Sequence, residues 1–226
     1  MIALEMQVCI KGRGFGMMDN FVITIARGYG SGGRTIGKML AEKLGIHYYD
    51  KELLRRASDE SGINVKFFAQ SDEKVKKPRL FKPANVDYSG KVIPPESDGF
   101  VSEENLFNYQ VKVICQLAET ESCVIVGRCA DFILKDYPNV VRLYVHAPMD
   151  YCIEKAMEVH ATFTPEETER YIRKTDKRRA AYYRYFTGMD WKDAENYDLC
   201  INSSLLGFDK CVKLVKSYLD IKLSTD

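Results

Sequence analysis

Residues 21–44 constrain the fold most, because they read as a strand, a glycine-rich loop and a helix in that order. Residues 21–26 are an apolar, β-branched run, and apolar side chains recur at helical spacing after Thr35. Glycines let backbone amides approach a ligand closely, and the helix N-terminus adds free N–H groups and a partial positive charge. This segment therefore predicts a phosphate-binding loop in an α/β protein.

The glycine loop fits two nucleotide-binding patterns. Residues 28–35 read G-Y-G-S-G-G-R-T, which is G-x-x-x-x-G-K-[ST] with Arg34 in place of the lysine. The same glycines fit the dinucleotide fingerprint G-x-G-x-x-G, with Asp50 about twenty residues further on. The first pattern gives Arg34 a role as a cation for phosphates and Thr35 a role as a Mg²⁺ ligand, and the fingerprint leaves both idle. A dinucleotide-dependent enzyme and a glycine turn that binds nothing remain alternatives.

Composition argues against several classes of protein. The 226 residues carry 33 basic and 32 acidic side chains, so a general nucleic-acid or membrane-surface binder is not expected. No apolar run approaches the length of a transmembrane helix. The seven cysteines form no C-x-x-C pair and several lie in apolar patterns, which favours reduced thiols in a cytoplasmic protein without a zinc site.

Strands and helices alternate along the rest of the chain. We predict strands at residues 46–50, 123–126, 142–148 and 199–202, with helices at residues 51–61, from 102 onward, and at about 150–160. This alternation predicts a parallel sheet with helices on both faces, and such sheets bind ligands at the carboxyl ends of their strands. The glycine loop, Asp50 and Gly127-Arg128 all fall at such ends.

Residues 164–188 predict a long helix with an uneven distribution of charge. Thr164, Pro165 and Glu167 predict a capping box at its start, and Gly188 predicts its end. Acids crowd the first turn, whereas the middle is basic. The basic residues are Arg170, Arg173, Lys174, Lys177, Arg178, Arg179 and Arg184. Like charges on one helix repel unless an anion lies among them, so we expect nucleotide phosphates there, with a solvated face as the alternative.

Three other segments carry weaker predictions. Residues 1–20 lack the apolar region of a signal peptide and read as a disordered extension or as the product of a start codon assigned too far upstream. Residues 71–100 hold four of the seven prolines, which favours a mobile flap or acceptor lobe, with a flexible linker as the alternative. The tyrosines at residues 182–185 are expected to be exposed and would permit a homodimer.

From residue 21 to the C-terminus the chain resembles the cytidylate kinase-like family, a branch of the nucleoside monophosphate kinases within the P-loop proteins. The matching stretches are ITIARGYGSGGRTIGKMLAEKLGIHYYDKELL, VIVGRCADFIL, RLYVHAP and KTDKRRAAYYRYFTGMDWKDAENYDLCINSS. The resemblance implies an α/β/α fold whose five-stranded parallel sheet has the order 2-3-1-4-5, a lid at residues 160–188 and a small acceptor lobe. It also implies transfer of the γ-phosphate of ATP to a nucleoside monophosphate such as CMP.

The resemblance further implies roles for individual residues. The phosphates of ATP would be bound by Gly28, Gly30, Ser31, Gly32, Gly33, Arg34 and Thr35, with Thr35 on Mg²⁺. The acceptor would be bound by Asp50, Arg56, Arg128, Asp176 and Arg179. Catalysis would involve Arg34, Arg173, Asp176 and Arg179, with Asp176 either reading the acceptor base or orienting Arg179.

The chain departs from true cytidylate kinases at three places. Arg34 replaces the lysine of the glycine loop, a replacement that is common in this branch. The D-T-G segment becomes Asp50-Lys51-Glu52, and D-G-R-D becomes residues 126–129 with both acids lost. Because those acids help to arrange metal and acceptor, a nucleotide-binding regulator or sensor without transfer activity is the alternative function.

Overall fold

Residues 20–73 and 91–224 are described by a computed structural model of the chain. All but the last residue of the predicted extension at residues 1–20, and the greater part of the predicted flap at residues 71–100, lie outside the described residues. In the described part the strands are β1 (Val22–Arg27), β2 (His47–Tyr49), β3 (Cys123–Val126), β4 (Val140–His146) and β5 (Leu199–Asn202). They form one sheet in the order β2-β3-β1-β4-β5, which confirms the expected topology.

The sheet is parallel throughout, with β1 at its centre. Val22 lies opposite Cys123 of β3 on one side and opposite Val140 of β4 on the other. Every residue of β1 and β3 is buried, as their continuous apolar sequences predict for strands covered on both faces. All five carboxyl ends therefore lie along one edge of the sheet, which we call the carboxyl edge.

The helices flank the sheet on both faces. They are α1 (Gly33–Leu44), α2 (Glu52–Ser61), α3 (Val65–Ser71), α4 (Glu103–Thr120), α5 (Ala130–Ile133), α6 (Met149–Met157), α7 (Pro165–Thr187), α8 (Ser203–Leu206) and α9 (Phe208–Leu223). The helix predicted between Thr164 and Gly188 is confirmed with both of its caps, including the Thr164–Glu167 capping box. No pattern in the sequence predicted α3, α5, α8 or α9.

Two separate apolar clusters make the three layers. On one face α1 and α9 pack against the sheet through Ile36, Leu40, Val212 and Val215. On the other face α4 and α7 pack through Phe107, Ile114, Tyr182 and Phe186, with the rings of Phe107 and Phe186 stacked at a centroid distance of 4.0 Å. Helix α7 is thus part of the main core. This packing determines which residues of the helix lie beside the carboxyl edge.

The tyrosines at residues 182–185 of α7 are not exposed, contrary to the sequence prediction. Tyr182 and Tyr183 keep 4% and 3% of their surface accessible. The Tyr185 hydroxyl donates a hydrogen bond to Glu104 of α4. These side chains face inward because the helical spacing that places Phe186 in the core also places them there. The surface proposed for a homodimer is therefore taken up by intramolecular packing.

The cysteines in the described residues are free thiols. Five of them are buried and Cys200 is exposed. Burial raises the pKa of the Cys123 thiol to about 12, so this thiol is unreactive at neutral pH. Within residues 20–73 and 91–224, no helix has both the length and the apolar character needed to cross a membrane.

Candidate functional site

The glycine loop joins β1 to α1 and ends in an uncapped helix N-terminus. Gly30 and Gly32 have φ values of 80° and 78°, which is the left-handed region that favours glycine. Gly32 is the N-cap of α1 and offers no side chain to cap the helix, and the first turn holds no acidic residue. The first N–H groups of a helix lack intrahelical acceptors, so those of α1 are available to an anion.

Packing gives a second reason for the glycines of the loop. A Cβ on Gly30 would lie 2.4 Å from the carbonyl oxygen of Cys152, and one on Gly32 would lie 2.2 Å from the Phe208 ring. The Ser31 hydroxyl turns inward and donates hydrogen bonds to the Gly28 and Val145 carbonyls, at 2.9 and 3.0 Å. Its hydroxyl is thus used in shaping the loop, and so is its main chain, whose N–H donates to the Gly28 carbonyl at 3.4 Å.

Arg34 and Thr35 are both exposed in the first turn of α1. The Nε of Arg34 lies 2.9 Å from Oδ2 of Asp50, the residue that follows β2. A cation at a helix N-terminus is unfavourable unless an anion neutralises it, and Asp50 does so here. The structure thus brings Arg34, Thr35 and Asp50 together beside the loop.

Arg128 extends the same cluster from the end of β3. One of its terminal nitrogens lies 3.4 Å from Asp50 and the other 3.2 Å from Asp72. Gly127, Arg128 and Cys129 all have positive φ, at 79°, 57° and 57°. Two consecutive non-glycine residues in the left-handed region are strained, and such strain is concentrated at functional sites. The turn keeps the Arg128 side chain buried at the carboxyl edge.

Helix α7 contributes Asp176 and Arg179 to this edge. Asp176 accepts a hydrogen bond from the backbone N–H of Tyr29 in the glycine loop, at 2.9 Å. Arg179 donates to the carbonyl of Arg27 at 3.1 Å and to Asp176 at 3.4 Å. Of the two roles expected for Asp176, this contact geometry favours orienting Arg179. Both side chains tie the middle of α7 directly to the loop.

Sequence reasoning missed two residues of the cluster, Arg27 and Glu73. Arg27 ends β1 and is buried, and its Nη1 lies 2.6 Å from Oε1 of Glu73. The other carboxylate oxygen of Glu73 lies 3.0 Å from Nε of Arg179. Burial opposes the charge of Glu73, but Arg27 and Arg179 outweigh that cost and hold its pKa well below the usual range. The position of Arg27 at the carboxyl end of the central strand was a signal that could have identified it.

A small cavity of about 10 Å³ lies beneath this cluster, with room for about one water molecule. Arg27, Arg128, Arg179 and Asp131 are among the residues that line it. Asp131 is buried and accepts a hydrogen bond of 2.7 Å from the Tyr183 hydroxyl. Burial raises the pKa of the Asp131 carboxyl to about 6. This carboxyl therefore titrates closer to neutral pH than an exposed aspartate does.

Two predicted residues are not brought to the cluster. The Arg56 guanidinium stacks on the Tyr49 ring at 4.8 Å, and the Tyr49 hydroxyl donates to Glu121, which precedes β3. Arg56 therefore lies toward the end of the sheet where β3 begins. Arg173 is exposed on α7 and pairs with Glu169 one turn earlier, at 2.6 Å. Only Arg128 and Arg179 of the predicted acceptor arginines meet at the carboxyl edge.

The cluster has the chemistry of a polyphosphate site. Free amides at the start of α1 suit phosphate oxygens, and guanidinium groups bind such oxygens in pairs. The residues come from β1, the ends of β2 and β3, the end of α3, and α7. A ligand bound there would contact segments that are far apart in the sequence, which suits the alignment of two reactants.

Comparison with known proteins agrees with this geometry. The sequence profile of the cytidylate kinase-like family matches residues 22–205. The cytidylate kinase of Pyrococcus horikoshii is 24% identical over 203 residues, which cover 89% of this chain and 90% of that protein. The cytidylate kinase of Archaeoglobus fulgidus is 25% identical over 203 residues, which cover 88% and 95% respectively.

A solved structure shares the fold. The crystal structure of an uncharacterised protein from Eubacterium ventriosum aligns with a TM-score of 0.66 at 25% identity, over 89% of this chain and 99% of that chain. The matched residues of the family profile run from the start of β1 to beyond β5, so they include the glycine loop, Arg128 and all of α7.

Proposed function

Because the chain belongs to the cytidylate kinase-like family, we propose that it transfers the γ-phosphate of ATP to a nucleoside monophosphate, with CMP as the first candidate. The observation that carries the proposal is the meeting of Arg128 and Arg179 beside the glycine loop. These guanidinium groups come from the turn after β3 and from α7, and both line the same small cavity. Phosphoryl transfer depends mainly on such alignment and on cations that neutralise the developing charge.

The donor half of the site is the glycine loop. We assign the phosphates of ATP to the backbone amides of residues 30–35 and to the Arg34 side chain, which would exchange Asp50 for a phosphate. Mg²⁺ keeps most of its waters and needs few protein ligands, so the exposed Thr35 hydroxyl beside the loop fits it. When bound, the ion would supply positive charge to the phosphate oxygens.

The acceptor half is assigned to the other end of the cluster. Arg128 would bind the acceptor phosphate, with Asp50 and Asp72 holding its guanidinium in place. Arg179 would bridge donor and acceptor, and Asp176 would orient it while it holds the loop amide of Tyr29. We leave Arg56 and Arg173 out of this set because both guanidinium groups are engaged away from the cluster.

The test is ADP release from Mg-ATP with CMP, dCMP, UMP and AMP as acceptors. We expect turnover with at least one pyrimidine monophosphate, and at least a hundredfold loss of kcat in Arg179→Ala because an arginine at the transferred phosphoryl group is worth about 10³ or more in rate. Arg170→Ala is the matched control, since Arg170 is exposed on the same helix. Absence of ADP release with every acceptor would refute the transfer reaction.

A regulator that binds nucleotide without transfer is the second candidate. The observation that favours it is the Arg34–Asp50 ion pair, because a planar guanidinium held by a carboxylate is a poor substitute for a lysine between two phosphates. This candidate predicts ATP binding in calorimetry without turnover of any monophosphate. Turnover that Arg179→Ala abolishes would eliminate it.

A further inference from the structure

The carboxylate of Glu73 lies between two buried arginines, as an anionic ligand would in a binding site. Arg27 donates to both of its oxygens, to Oε1 at 2.6 Å and to Oε2 at 3.4 Å, and Arg179 donates to Oε2 at 3.0 Å. Arg27 and Arg179 keep only 4% and 7% of their side-chain surface accessible. Burial and the charge of Arg27 lower the pKa of Arg179, which means that the two cations are close enough to require an anion between them.

The cluster around Glu73 has donors that the carboxylate does not use. The Nε atoms of Arg27 and Arg128 are buried, and within the described residues neither has a hydrogen-bond partner. Buried donors are nearly always paired, so unpaired ones next to a charged cluster indicate room for a ligand with more acceptors. A carboxylate has two oxygens, and a phosphate group offers three outside its ester bond.

The backbone at Gly127 lies very close to the Glu73 carboxylate and to the Arg27 guanidinium. Gly127 has a φ of 79°, and a Cβ there would lie 2.3 Å from both Nη1 of Arg27 and Oε1 of Glu73. Glu73 itself has a φ of 49°, which lies in the left-handed region and is unfavourable for a residue with a side chain. A strained residue is thus held in place by the ion pairs that its carboxylate makes.

Charge balance decides whether Glu73 and a phosphate could occupy the cluster together. Four guanidinium groups (Arg27, Arg34, Arg128, Arg179) face four carboxylates (Asp50, Asp72, Glu73, Asp176) in the ligand-free chain. A phosphate monoester adds nearly two negative charges at neutral pH. Buried charges without partners are strongly unfavourable, so the incoming phosphate requires that a carboxylate leave.

We propose that Arg27, Arg128 and Arg179 form a binding site for one phosphate group, and that the Glu73 carboxylate fills this site until the phosphate displaces it. Glu73 is the carboxylate that leaves because it contacts Arg27 and Arg179 together, whereas Asp50 and Asp72 each contact Arg128. Glu73 lies two residues beyond the end of α3, and that helix is anchored by the buried Phe68, so Glu73 can withdraw without unpacking the sheet. The inference rests on the proposed function in one respect only, namely the identity of the phosphate that enters the site.

The test is binding of inorganic phosphate and sulfate to the full chain, measured by calorimetry without turnover. Glu73→Gln keeps the shape of the side chain and removes the competing charge. We expect it to bind both anions about tenfold more tightly than the unaltered chain, because each charge-assisted contact is no longer shared with a carboxylate. Glu121→Gln is the control, since Glu121 is also a hydrogen-bonded carboxylate but lies at the opposite edge of the sheet.

Glu73→Gln leaves two buried cations without their partner and so loses stability. If it unfolds in anion-free buffer, its melting temperature is followed as sulfate is added, and we expect a steeper rise than for the unaltered chain. Hydrogen exchange supplies a second measurement on the unaltered chain. Phosphate should speed exchange of backbone amides in residues 65–73. Equal or weaker anion binding by Glu73→Gln, or unchanged exchange in residues 65–73, would show that Glu73 only positions the arginines.

Binding of CMP, ATP and ADP shows whether the site takes the phosphate of the acceptor or the γ-phosphate of ATP. If the acceptor's phosphate enters, Glu73→Gln tightens binding of CMP and leaves that of ATP unchanged. If the γ-phosphate enters, it tightens binding of ATP and leaves that of ADP and CMP unchanged. Either result supports the site, and no tightening with any ligand overturns it. Because these are binding measurements, they stand even if no transfer activity is found.

Discussion

Gly30 is required both by its positive φ and by the lack of space for a side chain. Alanine variants at Gly30 and Gly45 can separate these two effects. Gly30 has a φ of 80°, and a Cβ there would lie 2.4 Å from the Cys152 carbonyl oxygen. Gly45, at the end of α1, has a φ of 67° and open space around it. We expect Gly45→Ala to cost only the backbone strain of about 1 kcal/mol. Gly30→Ala should cost about 1–3 kcal/mol more, because the main chain of the loop must move.

The two variants also differ in what they do to the ligand. Moving the loop displaces the amides that face the phosphates, so Gly30→Ala should lose at least about tenfold in ATP affinity, while Gly45→Ala should keep it. Urea unfolding and calorimetry with ATP measure the two effects. Equal costs and equal affinities in the two variants would mean that the loop is not packed as described.

Asp131 gives the chain a stability that falls as pH rises. Its pKa is raised from 3.8 to about 6 by burial, so between these values the folded state binds more protons than the unfolded state. The free energy of unfolding therefore decreases with pH over that range, by on the order of 2–3 kcal/mol. Asp131→Asn retains an oxygen for the Tyr183 hydroxyl and cannot ionise. We expect this variant to be more stable than the unaltered chain at pH 7.

The comparison of Asp131→Asn with the unaltered chain isolates this contribution. Glu73 acts in the opposite sense, since its pKa is lowered and its stabilising effect is lost as pH falls below about 4.5. Because both proteins contain Glu73, its contribution cancels when they are compared. The difference in free energy of unfolding between Asp131→Asn and the unaltered chain should grow from pH 4 to about 6 and then level off. A difference that does not change with pH would show that Asp131 is not buried as a titrating group.

At the scale of elements, Asn105 fixes the approach to α4. It is fully buried at the start of that helix, where it accepts from the backbone N–H of Ile93 and donates to the carbonyls of Ile93 and Phe100. Removing it leaves three partly buried backbone groups without this partner. We expect Asn105→Ala to lower the free energy of unfolding by about 2–4 kcal/mol. Asn108→Ala, which removes one hydrogen bond to Lys91, should cost less than about 1 kcal/mol, and urea unfolding measures both.

Elements with a local cause could be predicted from the sequence. The strands at β1 and β3 are continuous apolar runs, and the start of α7 has a capping box that requires only residues 164–167. The acceptor role of Arg56 was inferred from its place in a motif, which carries no information on which face of α2 the side chain occupies. Because Leu53, Leu54 and Ala57 form the buried face of α2, Arg56 falls on the exposed face.

The Arg27–Glu73 contact could not be predicted, because it joins residues 46 apart that carry no shared pattern. Glu73 lies just after α3 in a segment that composition alone marks as a flap. The acid was visible in the sequence, but only the packing of α3 on its neighbours aims it at β1. Arg128 was predicted to lie at the edge, whereas the left-handed turn that buries its side chain depends on tertiary contacts.

For the whole molecule, the question is whether α7 moves as a lid or unfolds with the sheet. Its inner face belongs to the main apolar cluster, and its middle is bonded to the glycine loop through Asp176 and to the end of β1 through Arg179. Because α7 is held both by the apolar cluster and by these hydrogen bonds, we expect it to unfold together with the sheet in one cooperative transition. The resemblance predicts a lid at residues 160–188, and the way α7 unfolds relative to the sheet is a measurable test of that prediction.

Trp191 makes this measurement possible, because it is the only tryptophan in the chain and lies just after α7. It is 4% exposed and packs edge-on against Tyr144 of β4, at a centroid distance of 5.7 Å. We expect its fluorescence and far-UV circular dichroism to give one denaturation transition with the same midpoint. The matched probe is Trp191→Phe combined with Tyr218→Trp, which reports from α9 in the opposite layer. An earlier midpoint at Trp191 than at position 218 would make the α7 side a separate unit, free to open around its substrates.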